Sequence, residues 1–192
     1  MKALVVMAHP NPKSFNKGIL DTITGELQKK NSEVRVKDLY AMNFNPVLSG
    51  SDFEQFQAGK APQDIAAEQA DITWADTLIF IYQIWRWGQP AILKGWIDRV
   101  FSYGFAYQQN EAGIEGLLKN KKALVITTSG SDEVIWEQTK AADAIKRVMF
   151  AGTLNFSGIT DATYRNFYAV PTVSDSDRQA MLEEVKKLIS AL

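Results

Sequence analysis

Three short segments of this chain combine residue types that can hold a flat, phosphorylated molecule. The first is His9-Pro10-Asn11-Pro12-Lys13-Ser14-Phe15-Asn16, which follows an apolar run over 3–8 and precedes a helical pattern. A helix N-terminus offers unpaired N–H groups and the positive end of a dipole, and both favour a phosphate. Ser14 and Asn16 can add side-chain donors, with His9 as a third. The same residues are also explained by a proline-stiffened turn with an N-cap, and spacing alone does not separate the two readings. The second segment is Tyr82-Gln83-Ile84-Trp85-Arg86-Trp87-Gly88-Gln89-Pro90. Two tryptophans and an arginine directly after an apolar run suit the wall and polar edge of a planar ligand. Packing against a partner subunit is the competing account. The third is Thr127-Thr128-Ser129-Gly130-Ser131, where small residues let the backbone approach a ring closely. A fourth segment, Gly104-Phe105-Ala106-Tyr107, places a tyrosine that is either core or pocket lining.

The elements around these segments explain how they come together. Apolar runs at 3–8, 78–82 and 123–126 read as buried parallel strands. Val34 and Val36 mark a second strand, and 162–170 a last one. Helical patterns separate them: Ile19, Leu20, Ile23 and Leu27 share one face behind Ser14. Residues 64–76 follow. Ile92, Leu93, Trp96, Ile97 and Val100 lie behind Pro90. A helix is expected through 138–151, and a last one behind Ser174. Residues 38–62 are expected to form a long irregular loop with room for one turn of helix. Five strands alternating with helices imply a parallel sheet covered on both faces. Ligands bind such sheets outside the carboxyl ends of the strands, where segments 9–16, 83–88 and 127–131 all fall.

Composition narrows the chemistry. The chain has 192 residues, 46% of them hydrophobic, with no cysteine and one histidine. A single domain over 1–192 is expected. Disulfides, thiolate metal sites and a cysteine nucleophile are excluded. The net charge of -1 gives no footprint for nucleic acid. No apolar run approaches the ~20 residues that span a bilayer. A cytoplasmic protein with no membrane insertion is therefore expected. The glycine fingerprint of dinucleotide folds is missing, so a flavin fits better than a nicotinamide as resident ligand.

At these residues the chain resembles the NAD(P)H:quinone reductase family. The likeness is carried by Ala8-His9-Pro10 with Ser14-Phe15-Asn16, by Asp38-Leu39-Tyr40, by the run from Pro90 through Lys94-Gly95-Trp96 to Phe101, and by Gly104-Phe105-Ala106-Tyr107. It implies a flavodoxin-like three-layer fold with a five-stranded parallel sheet in the order 2-1-3-4-5 and helices on both faces. It further implies that His9, Ser14, Phe15 and Asn16 hold the phosphate end of the flavin, FAD with FMN as the close alternative. Gln83, Ile84, Trp85, Arg86 and Trp87 would meet the ring from one side, and Thr127, Thr128, Ser129 and Gly130 from the other. Tyr107 would line the acceptor pocket as the catalytic-site tyrosine of a homodimer. The implied reaction is ping-pong hydride transfer from NAD(P)H through the flavin to a quinone-like acceptor. Members of the family usually carry proline at position 83 and an aromatic at 86. Gln83 is thus expected to loosen its loop, and Arg86 either to face flavin N1–C2=O or to point to solvent. A one-electron flavodoxin-type carrier and a flavin-binding ancillary subunit are the alternative readings.

Overall fold

The computed structural model describes residues 1–119 and 121–192. Its centre is three strands of almost wholly apolar sequence: β1 (Lys2–Ala8), β3 (Thr77–Gln83) and β6 (Lys122–Thr128). They pair in parallel, in register Val5 to Ile79 to Leu124. The edges are β2 (Glu33–Asp38) and β7 (Asp161–Phe167), giving the order β2-β1-β3-β6-β7. This is the expected order 2-1-3-4-5. Continuous apolar runs form here because a strand covered on both faces has no polar face to show.

Alternate residues of these strands feed two cores. Ala3, Val5, Met7, Ile79, Ile81, Leu124 and Ile126 point to α1 (Phe15–Lys29) and α7 (Asp175–Ser190). Leu4, Val6, Leu78, Phe80, Tyr82 and Val125 point the other way, to α3 (Gln63–Trp74) and α4 (Ala91–Val100) and to the segments after β6. Ser14 caps α1 by accepting from the Lys17 N–H, and Ser174 caps α7 within a reciprocal capping box with Asp177.

Three stretches depart from the sequence-based expectation. The irregular stretch 38–62 contains α2 (Gly50–Gln57), which starts in a capping box between Ser49 and Asp52. A hairpin of β4 (Tyr107–Asn110) and β5 (Gly113–Gly116) lies outside the main sheet. The helix expected through 138–151 is broken. Asp132 caps α5 (Glu133–Thr139), Lys140 turns left-handed at φ 52, and α6 (Ala141–Ile145) runs into a π-helical segment, Lys146–Asn155. A left-handed lysine ends one helix and starts the next, which a periodicity argument cannot see. The last strand also ends at Phe167 rather than 170.

The loop before α2 is clamped to α4. Arg99 is 4% exposed and donates to Asp52 through Nε (2.9 Å), to Asp64 through Nη1 (2.7 Å) and to the Asn45 carbonyl (2.9 Å), with Phe44 against its guanidinium. Gly95 of α4 meets Pro46 so closely that a Cβ there would lie 2.1 Å from the Pro46 carbonyl oxygen.

Among the described residues no helix is long and apolar enough to cross a membrane.

Candidate functional site

The loops after β1 and β3 leave the sheet in opposite directions because their helices lie on opposite faces. The resulting crevice is the topological switch point of the sheet. Two cavities sit there: one reaches the strand-end register partners Gln83 and Thr128, and the other is bordered by the residues that follow them in the chain, Ile84 and Ser129.

The first cavity is about 350 Å³ and is bordered by His9, Ser14, Phe15, Asn16, Gln83 and Thr128, with Val170, Pro171 and Arg178 on the far side. Its lining suits an anion. The N–H groups of Phe15 and Asn16 belong to the first turn of α1, which has no intrahelical acceptor. Asn16 is 2% exposed, and its Oδ1 accepts from Thr128 Oγ1 at 2.7 Å. Its Nδ2 is buried without a partner among the described residues. A buried amide donor left unpaired costs roughly 1–3 kcal/mol unless something accepts from it. Arg178 brings the one guanidinium of this cavity. It is oriented by the Val170 and Val173 carbonyls (3.0 and 2.7 Å) and by Asp175.

The second cavity is about 210 Å³ and is bordered by Ile84, Arg86, Trp87, Ser129, Gly130, Ser131 and Trp136. Its aromatic wall stands on a tight turn. Trp85 and Gly88 exchange backbone hydrogen bonds (3.2 and 3.0 Å), and the two residues between them, Arg86 and Trp87, have φ of 50° and 60°. Both central residues left-handed is the pattern of a type I′ turn, which normally takes asparagine and glycine. Trp87 packs edge-on against the buried Trp136, which in turn packs on Tyr168. Opposite, Gly130 has open space where a Cβ would be. A flat ring fits between a fixed indole and a glycine, and the neighbouring anion-binding cavity fits its phosphate tail. The residues present therefore suit a flavin.

The structure thus brings together Ser14, Phe15, Asn16, Gln83, Ile84, Arg86, Trp87, Thr128, Ser129 and Gly130. His9 borders the first cavity as well, whereas Thr127, Trp85 and Tyr107 border neither. Thr127 is fully buried. Its hydroxyl lies 2.8 Å from Asn166 Oδ1 and 3.0 Å from the Tyr164 hydroxyl, so it orders the strand end rather than bordering either cavity. Trp85 leans on the His9 ring, 5.6 Å between centroids. His9 borders the first cavity with both ring nitrogens already engaged by protein atoms. Gln83, where a loosened loop was expected, has its Oε1 2.9 Å from His9 Nε2. Tyr107 borders neither strand-end cavity. It lies on β4 with Phe156 at 4.8 Å and Tyr103 at 5.8 Å, beside Phe53 and Asp98. Burial holds the Tyr82 hydroxyl far above its ordinary range, and pushes Tyr164 up to about 12. Both hydroxyls therefore stay protonated at neutral pH.

Arg178 and Trp136 escaped the sequence reading. Arg178 stands in the first turn of an ordinary amphipathic helix, and only the fold carries that helix to the β1 crevice. A tryptophan shortly after the third segment was the one visible sign of Trp136.

A family model for the flavodoxin-like fold matches residues 1–189. The chain is 36% identical over 184 residues to an uncharacterized NAD(P)H oxidoreductase of Haemophilus influenzae, covering 95% of this chain and 91% of that one. It is 35% identical to NAD(P)H dehydrogenase [quinone] 1 of Rattus norvegicus, covering 100% of this chain and 77% of that protein. Among solved structures, the NAD(P)H:quinone oxidoreductase from Methanothermobacter marburgensis superposes with a TM-score of 0.90 at 32% identity, covering 98% of this chain and 97% of that one.

Proposed function

The chain belongs to the flavodoxin-like fold family, and from that footing we propose that it is a flavin-dependent NAD(P)H oxidoreductase that reduces quinone-like acceptors by two electrons. One observation carries the reading. An anion-suited cavity bordered by Gln83 and Thr128 adjoins along the chain an aromatic-walled slot bordered by Ile84 and Ser129, an arrangement that suits a phosphate tail and a planar ring in one crevice. The names of the relatives supply the donor and the acceptor class.

In this reading the first turn of α1, Asn16 and Arg178 bind the phosphate end. Arg178 adds a second anion-binding group beside the helix N-terminus, which suits the diphosphate of FAD more than the single phosphate of FMN. Trp87 and Gly130 flank the ring, and Trp136 holds the Trp87 indole in place. Arg86 would meet the polar edge of a ring bound there, where a guanidinium favours negative charge. A flavin bound there would supply hydride chemistry between NAD(P)H and the acceptor, for which we propose two half-reactions in one slot. The protein needs no dedicated acid or base for the hydride steps, and solvent supplies the proton for the quinol.

Tyr107 reaches the reaction in a homodimer. Around it lie the exposed apolar side chains of Phe53 (53%), Tyr103, Val148 and Phe156 (40%), a patch of the kind monomers rarely leave uncovered. A second copy covers this face and brings its own Tyr107 to the open side of the slot. The cytoplasm, which holds the reduced nicotinamide pool, is the compartment assigned.

The test is the visible spectrum of the purified protein before and after anaerobic NADPH, with the released cofactor identified by chromatography. A yellow protein that bleaches in one two-electron step is the expected result. A colourless protein that neither FAD nor FMN reconstitutes overturns the reading.

A further inference from the structure

His9 is the only histidine in the chain, and its ring is held from both sides. The Asn11 backbone N–H donates to Nδ1 at 3.1 Å. A backbone amide only donates, so Nδ1 carries a lone pair. A neutral imidazole has one N–H, which must then sit on Nε2. Nε2 lies 2.9 Å from Gln83 Oε1. The amide end facing the ring is therefore the oxygen, an orientation that the Asn11 N–H fixes through the ring. Both ring nitrogens are used within the protein, and the Trp85 indole flanks the ring. The contact ties the loop after β1 to the end of β3, across 74 residues of sequence.

We infer that the contact with Gln83 makes His9 a neutral positioning strut between the two loops, so that the side-chain donor this pair offers the cavity is the Gln83 amide rather than the imidazole. An imidazole that gave its N–H to a ligand oxygen would have to leave Gln83. An imidazolium would have to give up the Asn11 N–H. The Gln83 –NH2 group is committed to neither bond, and Gln83 borders the same cavity as Ser14 and Asn16. The chemistry it suits is an acceptor oxygen of the bound molecule, on a phosphate or a ribityl chain. The consequence for a flavin rests on the function proposed above, whereas the lock itself does not.

With one histidine, ring-labelled protein gives one pair of imidazole ¹⁵N signals and needs no assignment. In the protein as purified, and again after cofactor removal, the signals should report the neutral Nε2–H tautomer with a slowly exchanging proton. Gln83→Leu should abolish the slow exchange. The Nδ1–H tautomer, an imidazolium, or a change of state on cofactor removal overturns the lock. A double-mutant cycle then tests the strut. Gln83→Leu and His9→Leu should each raise the flavin Kd about tenfold, the size of one lost hydrogen bond, and the double variant should do no worse. Additive losses overturn the inference, because each side chain would then touch the ligand on its own. A protein that binds no flavin refutes the proposed function and still answers the imidazole question.

Discussion

Thr128 Oγ1 donates to Asn16 Oδ1 at 2.7 Å, joining the end of β6 to the first turn of α1 across 112 residues. Because the oxygen is engaged, the amide nitrogen is the free end of the Asn16 side chain. Thr128→Val keeps the shape and removes the donor. The expected result is a flavin Kd raised about tenfold, with a loss of roughly 1–3 kcal/mol in fold stability. Flavin fluorescence titration and denaturant melts read the two effects separately.

The Arg86-Trp87 turn stores strain for the sake of the two side chains it presents. A non-glycine residue in the left-handed region costs of order 1 kcal/mol or more, and asparagine tolerates it better. Arg86→Asn should raise the stability of the flavin-free protein by about 1 kcal/mol and lower the reduction potential of bound flavin. Trp87→Ala should weaken flavin retention by at least about tenfold, through the lost aromatic wall. Thermal melts and potentiometry check the first, and equilibrium dialysis the second. An unchanged potential in Arg86→Asn would mean that the guanidinium does not face the ring.

Gly95→Ala tests the clamp on the loop before α2. The added methyl would run into the Pro46 backbone, which cannot yield as a side-chain tip can. A loss of roughly 3 kcal/mol is expected, at the upper end of overpacking costs. A variant as stable as the parent would show that the loop moves freely off α4.

The Arg99 hydrogen bonds to Asp52 hold that carboxyl below its ordinary range. A depressed folded-state pKa contributes stability that is fully present above the unfolded value of about 3.9. That stability is lost as pH falls through the lower folded value. Asp52→Asn should cost roughly 3 kcal/mol at neutral pH, because it leaves a buried guanidinium short of a partner. It should also flatten the acid limb of the stability curve. Denaturant midpoints measured from neutral pH downward give both.

Tyr107→Ala leaves the strand-end cavities untouched. If a second copy contributes this ring to the acceptor slot, the acceptor KM should rise roughly tenfold with flavin retention unchanged, as expected for one lost aromatic contact. Steady-state kinetics with a simple benzoquinone, alongside the flavin content, make the comparison.

The sheet was legible because its three central strands are apolar on both faces, and Ser14 and Ser174 mark helix starts by a local rule. The break at Lys140 was not legible, since a lysine gives no sign of a left-handed conformation. α2 was read as no more than a turn of helix although Ser49 and Asp52 spell a capping box, because the aromatic residues around them obscured the helical period. In the site, the segments after the strands were found, since topology alone sends ligands there. Arg178 was not, because its place depends on how α7 packs beside α1. Thr127 and Thr128 look alike in sequence, yet strand alternation turns one hydroxyl into the sheet and the other toward Asn16.

The crevice takes its parts from both ends of the chain, from Ser14 and Asn16 to Arg178. During synthesis on the ribosome β1 precedes β3 yet pairs with it, so its second edge is covered only once β3 has been made. The anion-binding cavity closes only when α7 has left the exit tunnel. In the reading proposed above, the complete lining for a cofactor's phosphate end exists only once translation has passed Arg178.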